Sequence, residues 1–462
     1  MTSVTQAAQP ASRLAESSRA EERAYVFLAS YFAAMHLLPF AQMVSGWSFR
    51  LFAIVDGFGL IAAVLGIGYL RRRFAGANPS LTVLDALVLG YIGLALASGL
   101  LFLQGNNPAS AIAYLYGIHY VVFPCLTFFA VKRLAIGGQV RLLRLIVALN
   151  VLLVGVGLMV FYWQPDFYTQ FMIRSFHGEI TEMWQLYGRL GSYLGSTTVG
   201  IMAGLTLLFV DFSTTRIWPK AALCGILVVG GVLSQQRGGY VALAVGLGYQ
   251  VLVARGSLRK KILTVVALAV LAGSILVMFD RRNAELGDRL DLLSYSWNRM
   301  SNEFLSWNTF AERRAGYVRA LSLVRTFPLG LGVGATLSAA DSAGANPGGQ
   351  VVDANYMRIL ADMGVVGLVL FLAILAAASR KALRTSRRLL WLSVLVIYAA
   401  IAVGTNVFDS FYVSHLYWAL LGILDAGAAG TARDPLRRVR RRVGADSGLG
   451  ALPDPTSAPA GA

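Results

Sequence analysis

The sequence predicts an all-α fold, a polytopic bundle of about twelve transmembrane helices with a large periplasmic loop carrying short helices. Three observations lead there. The chain of 462 residues is 56% hydrophobic and only 14% charged, well below the quarter or so that soluble domains carry. Its mean hydropathy is +0.62, and several apolar windows reach the roughly twenty residues that a helix needs to cross a bilayer. Its excess of 40 Lys and Arg over 23 Asp and Glu falls mostly in short segments between those windows. That placement is the topology signal of cytoplasmic loops, so the net charge of +17 argues for a membrane and against nucleic acid.

Taken in order, residues 1–22 are rich in Ala, Ser, Glu and Arg without an apolar run, and read as a disordered cytoplasmic tail. Nine spans are expected over 23–279, at roughly 24–43, 50–70, 82–103, 110–131, 142–162, 193–212, 221–234, 239–254 and 262–279. Arg71–Arg73, Lys132 and Arg133, Arg216 and Lys220, and Arg255 to Lys261 punctuate them. A long polar loop follows at 280–350, then three more spans over 351–426, at about 356–378, 389–407 and 410–426. The segment 427–462 opens on an arginine run and ends as a disordered tail. With the N-terminus in the cytoplasm, every basic cluster falls inside and loops 163–190 and 280–350 fall outside. The C-terminus is then cytoplasmic too. Cys125 and Cys224 lie within apolar runs and read as small core residues.

Polar groups that remain at the outer side are the candidates for chemistry. Arg189 stands at the entry to the span near 193, Arg237 between two short apolar segments near the outer face, and Arg313 opens a polar stretch on the same side. Guanidinium forks suit phosphate oxygens, while snorkelling or pairing with a carboxylate such as Glu312 is the plain alternative for each one. Gly330, Gly332 and Gly334 follow Pro328, and either let backbone approach a ligand or simply make turns. No Walker pattern accompanies them. Asp353, with Asn355 and Tyr356, opens the span near 356. It reads either as a base or sugar-binding group or as the N-cap of that helix. His36, His119, His177 and His415 lack metal-ligand spacing and are expected to be structural. Nothing visible calls for a metal or another cofactor.

Four blocks of these residues, in order, resemble those of the O-antigen ligase and polymerase-like membrane proteins of bacterial surface polysaccharide assembly. They are Arg189 to Ser196, Ser234 to Tyr240 around Arg237, Arg313 and Tyr317 followed by Phe327 to Gly334, and Asp353 to Gly367. The resemblance covers roughly 185–375. It implies a glycosyl-transfer enzyme of the bacterial inner membrane whose donor is a polyprenyl-pyrophosphate-linked oligosaccharide, with membrane lipids around it and a flippase and a chain-length regulator as candidate partners. On that reading Arg189, Arg237 and Arg313 hold the pyrophosphate, and Asp353 with Arg313 carries catalysis. Tyr317, Asn355 and Tyr356 contact the sugars. Where ligases of the family have a histidine, this chain has Asp353, which tilts the expectation toward a polymerase joining repeat units. A ligase acting on a lipid A core and a transporter of lipid-linked glycan are the alternatives.

Overall fold

The computed structural model describes residues 5–45, 51–75, 81–103, 108–163, 167, 190, 192, 194–214, 216–234, 236–253, 307–337, 352, 354–405 and 407–427. Among them every regular element is helical. In chain order these are α1 (Thr5–Ser45), α2 (Leu51–Ala75), α3 (Val83–Leu103), α4 (Pro108–Gly117), a π-helix (Ile118–Val122), α5 (Phe123–Val131) and α6 (Ile136–Trp163). Next come α7 (Gly195–Leu207), α8 (Val210–Ser213), α9 (Ile217–Leu233), α10 (Arg237–Val253) and α11 (Trp307–Thr326). The chain closes with α12 (Asn355–Leu383), α13 (Arg388–Gly404), a 3-10 turn (Val407–Asp409) and α14 (Phe411–Asp425).

Among the described residues, five segments are long and apolar enough to cross a membrane: Arg19–Ser45, Val83–Leu100, Ala111–Val131, Ile136–Phe161 and Asn355–Leu383. Thr197–Leu207, Trp218–Leu233 and Arg388–Gly404 are shorter apolar helices. The chain is thus a multi-pass membrane protein, with five full-length spans on view rather than the expected count of about twelve. The expected span 262–279, most of loop 280–350 and the basic tail lie outside the described residues. Helix α1 begins at Thr5, inside the segment expected as a disordered tail. Ala, Gln, Glu and Arg are strong helix formers. Glu22 also grips Arg141 of α6 (Nη2–Oε2 2.6 Å), and Glu21 accepts the Ala135 amide (2.8 Å) just before α6.

Helix α14 is the mast of the bundle. Every residue from Tyr412 to Asp425 is buried, the pattern of a helix wrapped on all sides by protein. Lipid-facing surfaces sit on its neighbours, where Leu60, Val64 and Ile67 of α2, Val365, Val366 and Val369 of α12 and Val396 of α13 are exposed. Close approach replaces the hydrophobic effect inside such a bundle, and small residues permit it. Gly200 of α7 meets Gly239 of α10 with only about 3 Å between backbone and an added methyl, so the two helices touch nearly backbone to backbone. Before Pro124, which cannot donate an amide, the chain widens into the π-helix, and the Phe123 amide bonds Ile118 O instead. The three spanning-region histidines are buried, as expected of structural residues. His119 stacks on Phe411 (4.3 Å), His36 meets Tyr412 edge-on (4.2 Å), and His415 bonds the hydroxyls of Thr127 (2.8 Å) and Tyr31 (3.0 Å). Both cysteines are buried and free.

One end of the bundle is locked by charge. Lys132, just past α5, reaches Asp85 of α3 and Asp425 of α14, both at 2.5 Å. Thr82 donates to Asp425 (2.6 Å), and Lys381 of α12 approaches the same carboxylate (3.3 Å). Burial pulls the Lys132 pKa down, but Asp425 and Asp85 outweigh it and hold it above its usual value. The stabilisation is therefore present throughout the range below the unfolded lysine value, and fades only as pH rises through the raised folded one. Replacing Lys132 by Met removes the cation that the two buried carboxylates share and leaves Lys381 beside Asp425 alone. The expected loss is about 3–5 kcal/mol, read from thermal unfolding of the purified protein in detergent.

Candidate functional site

The opposite end is organised by a broken helix. Within α12, Gly364 has φ 68° and ψ −170°, a region that only glycine occupies without strain. The break releases the carbonyls of Ala361 and Asp362 from their intrahelical partners. The loop after α11 takes both, through the amides of Leu331 and Gly332 (2.8 Å each), and returns the Pro328 carbonyl to the Val365 amide (3.3 Å). Gly364 cannot carry a side chain, because a Cβ would run into the Pro328 carbonyl.

The Asp362 side chain continues the pairing. It accepts from the amides of Gly334 (3.2 Å) and Thr336 (3.0 Å) and from the Thr336 hydroxyl (2.7 Å). The Val333 amide goes to Ser98 Oγ (3.2 Å), and those of Gly330, Ala335 and Leu337 close turns within the loop. Every amide from Gly330 to Leu337 is thereby used. That decides between the two readings of the glycines. They make turns, and the anion lying in their concavity is a carboxylate of the protein itself. At Gly334 (φ 94°) a Cβ would strike the Ala113 carbonyl, so the loop also lies hard against α4.

The described sequence-predicted residues stand at this same end. Arg237 is the first residue of α10 and is half-buried. Its neighbour Gly238 faces Ile401 of α13, with 3.0 Å left beyond an added methyl. Tyr317 lies four residues past Arg313 on α11 and donates its hydroxyl to Val403 O of α13. Tyr356 donates to Ala399 O of α13 (3.1 Å). Both tyrosines thus brace α13, and what they have left for a ligand is a ring face and a second lone pair. The Arg313 side chain, Arg189 and Asp353 lie outside the described residues. Next to Arg189 in the chain, Leu190 is buried and donates its amide to Leu233 O (2.7 Å), three residues before Gln236.

The N-cap of α12 is Ala354, in an extended conformation, whose carbonyl takes the Arg358 amide (2.8 Å). Residue 353 stands one position earlier, outside the described residues. Asn355 is fully buried; its Oδ1 accepts from Arg358 Nη2 (3.2 Å), and its Nδ2 has no hydrogen-bond partner among the described residues.

Two features escaped the sequence reading. Asn355, Arg358 and Asp362 follow i, i+3, i+7 spacing, which places a buried polar stripe on one face of α12. Three polar residues at that spacing within an apolar run were a usable signal. The second is α13 from Ala399 to Val403, where α10, α11 and α12 meet. Its sequence is featureless and offered none.

Residues 222–372 match the sequence profile of a family described as O-antigen ligase. This segment belongs to the O-antigen ligase and polymerase-like family. Comparison with curated proteins gives no match. The O-antigen ligase region runs from α9 into α12 and contains Arg237, Arg313, Tyr317, Asp353, Asn355 and Tyr356, together with Asp362 and Gly364. Substituting Gly364 by Ala should destabilise the protein by about 1–3 kcal/mol from backbone strain alone, with the Pro328 clash added. A thermal unfolding midpoint equal to that of the parent would show that the break tolerates a side chain.

Proposed function

We propose that this chain is a periplasm-facing glycosyl-transfer enzyme of the bacterial inner membrane that joins polyprenyl-pyrophosphate-linked oligosaccharide repeat units into a longer lipid-linked chain. The observation that carries the reading is the meeting of α10, α11 and α12 on residues 399–403 of α13. Three motif-bearing segments far apart in sequence reach one end of the bundle there, and a buried Asn355 amide on α12 has no partner among the described residues. The positive-inside arrangement of the basic clusters supports the reading of that end as periplasmic. The family match adds support for an enzyme of O-antigen assembly.

The chemistry asks little covalent help of the protein. Pyrophosphate leaves from the anomeric carbon while an acceptor sugar hydroxyl attacks it. Guanidinium groups of Arg189, Arg237 and Arg313 stabilise the charge developing on the leaving oxygens. Asp353 orients the hydroxyl and takes its proton, and Asn355, Tyr356 and Tyr317 line the sugar subsites. Ligation to a lipid A core is the second reading, favoured by the similarity to O-antigen ligases; Asp353 in place of a histidine favours polymerisation.

Sizing the polysaccharide of a deletion strain separates the two. Single repeat units without long chains are the expected result, whereas long chains stranded on the carrier would mean a ligase. In complemented strains, Arg313→Lys keeps the charge but loses the planar fork, and should abolish most polymer at normal protein levels. Asp353→Asn should lower transfer by about 10²–10⁴-fold, the usual worth of general acid–base help. Normal chain length in either variant would remove that residue from the mechanism.

A further inference from the structure

We propose that Asp362 is a positioning residue, the internal anion that clamps the loop after α11 onto the broken start of α12. By this clamp it would set the distance between the Arg313 helix and the segment that carries Asp353 and Asn355. The inference rests on the proposed function for its catalytic consequence and on geometry for the clamp itself.

Three features support it. Asp362 is buried, 2% exposed, and receives all three of its hydrogen bonds from the loop. Left-handed glycines at 330, 332 and 334 curl the loop so that amides 334 and 336 point to one place, as they do around a bound phosphate or carboxylate. The loop joins directly to α11, since the Phe327 amide still bonds Leu323 O (2.7 Å). Any shift of the loop is therefore a shift of α11, and of the Arg313 position on it. The two helices also pack directly, Ala320 and Leu323 of α11 beside Met357 and Ala361 of α12, and the Asp362 clamp adds directional bonds to that apolar contact. Tyr317 and Tyr356 each tie one helix to α13, and neither ties α11 to α12. An aspartate suits this task better than an asparagine, because a carboxylate only accepts, and all the groups facing it donate.

The test uses the full-length protein in lipid nanodiscs, with nitroxide labels at exposed Arg325→Cys on α11 and Val369→Cys on α12. Pulsed electron spin resonance reads the α11–α12 distance, and turnover is measured on lipid-linked oligosaccharide extracted from cells that lack the protein. Asp362→Asn should broaden the distance distribution and lower kcat about 10²-fold, while KM for the lipid-linked donor moves only a few-fold. Thr336→Val removes one of the three donors and should shift both readouts the same way by less, which keeps the test open if Asp362→Asn fails to fold. The double variant should be no worse than Asp362→Asn alone. An unchanged distance distribution, or a fall in thermal midpoint with kcat unchanged, would overturn the proposal. A broadened distribution in a protein whose parent transfers no glycan would uphold the clamp and refute the enzymatic reading instead.

Discussion

A helix broken at Gly364 governs the end of this bundle where its polar chemistry gathers. An unbroken α12 would use the carbonyls of Ala361 and Asp362 within itself and offer nothing to a neighbour. The break turns these two acceptors sideways, and the loop of left-handed glycines supplies amides at matching spacing. Each element needs the other. Without the loop, α12 would carry orphaned carbonyls inside protein, and without the break the loop amides would have no acceptors.

Scarcity of water inside the bundle explains why the Lys132 cluster and the loop amides from Gly330 to Leu337 are all paired. Charge handles one end, where Lys132 stands between Asp85 and Asp425 with Lys381 and Thr82 close by. Backbone and a single carboxylate handle the other. Between them run neutral ties such as Tyr412 to Asn150 (2.9 Å) and Asn150 to Thr206 (3.0 Å), which link α14, α6 and α7. Each tie is worth about 1 kcal/mol at most, so they set register more than they set stability. The charged end holds the helices together and leaves the other end free to differ in shape.

That division suits a transferase acting on a lipid-linked donor. The reacting groups must be fixed to within an ångström or so while long, greasy and sugary substrates come and go. Here α13 gives α10, α11 and α12 a common surface. The Tyr317 bond to Val403 falls on a carbonyl in the last turn of α13, where the helix has its own unsatisfied acceptors.

Much of the fold was legible because a bilayer imposes a simple code. Runs of about twenty apolar residues must be helices there, and basic residues mark the loops that stay inside. Expected spans such as 82–103 and 356–378 coincide with α3 and α12 for that reason. Polar composition hid the helical start of α1, whose residues resemble a tail until Glu21 and Glu22 find partners on and beside α6. The sequence alone determined the membrane class, the family blocks and the residue types available for chemistry, since each of these follows from local composition and spacing. Tertiary structure alone decided that the glycine loop is filled by Asp362, that Ala354 caps α12, and that α13 is where the motifs meet. Those three depend on contacts between residues tens to hundreds apart in the chain, and no local pattern records which backbone groups such contacts will consume.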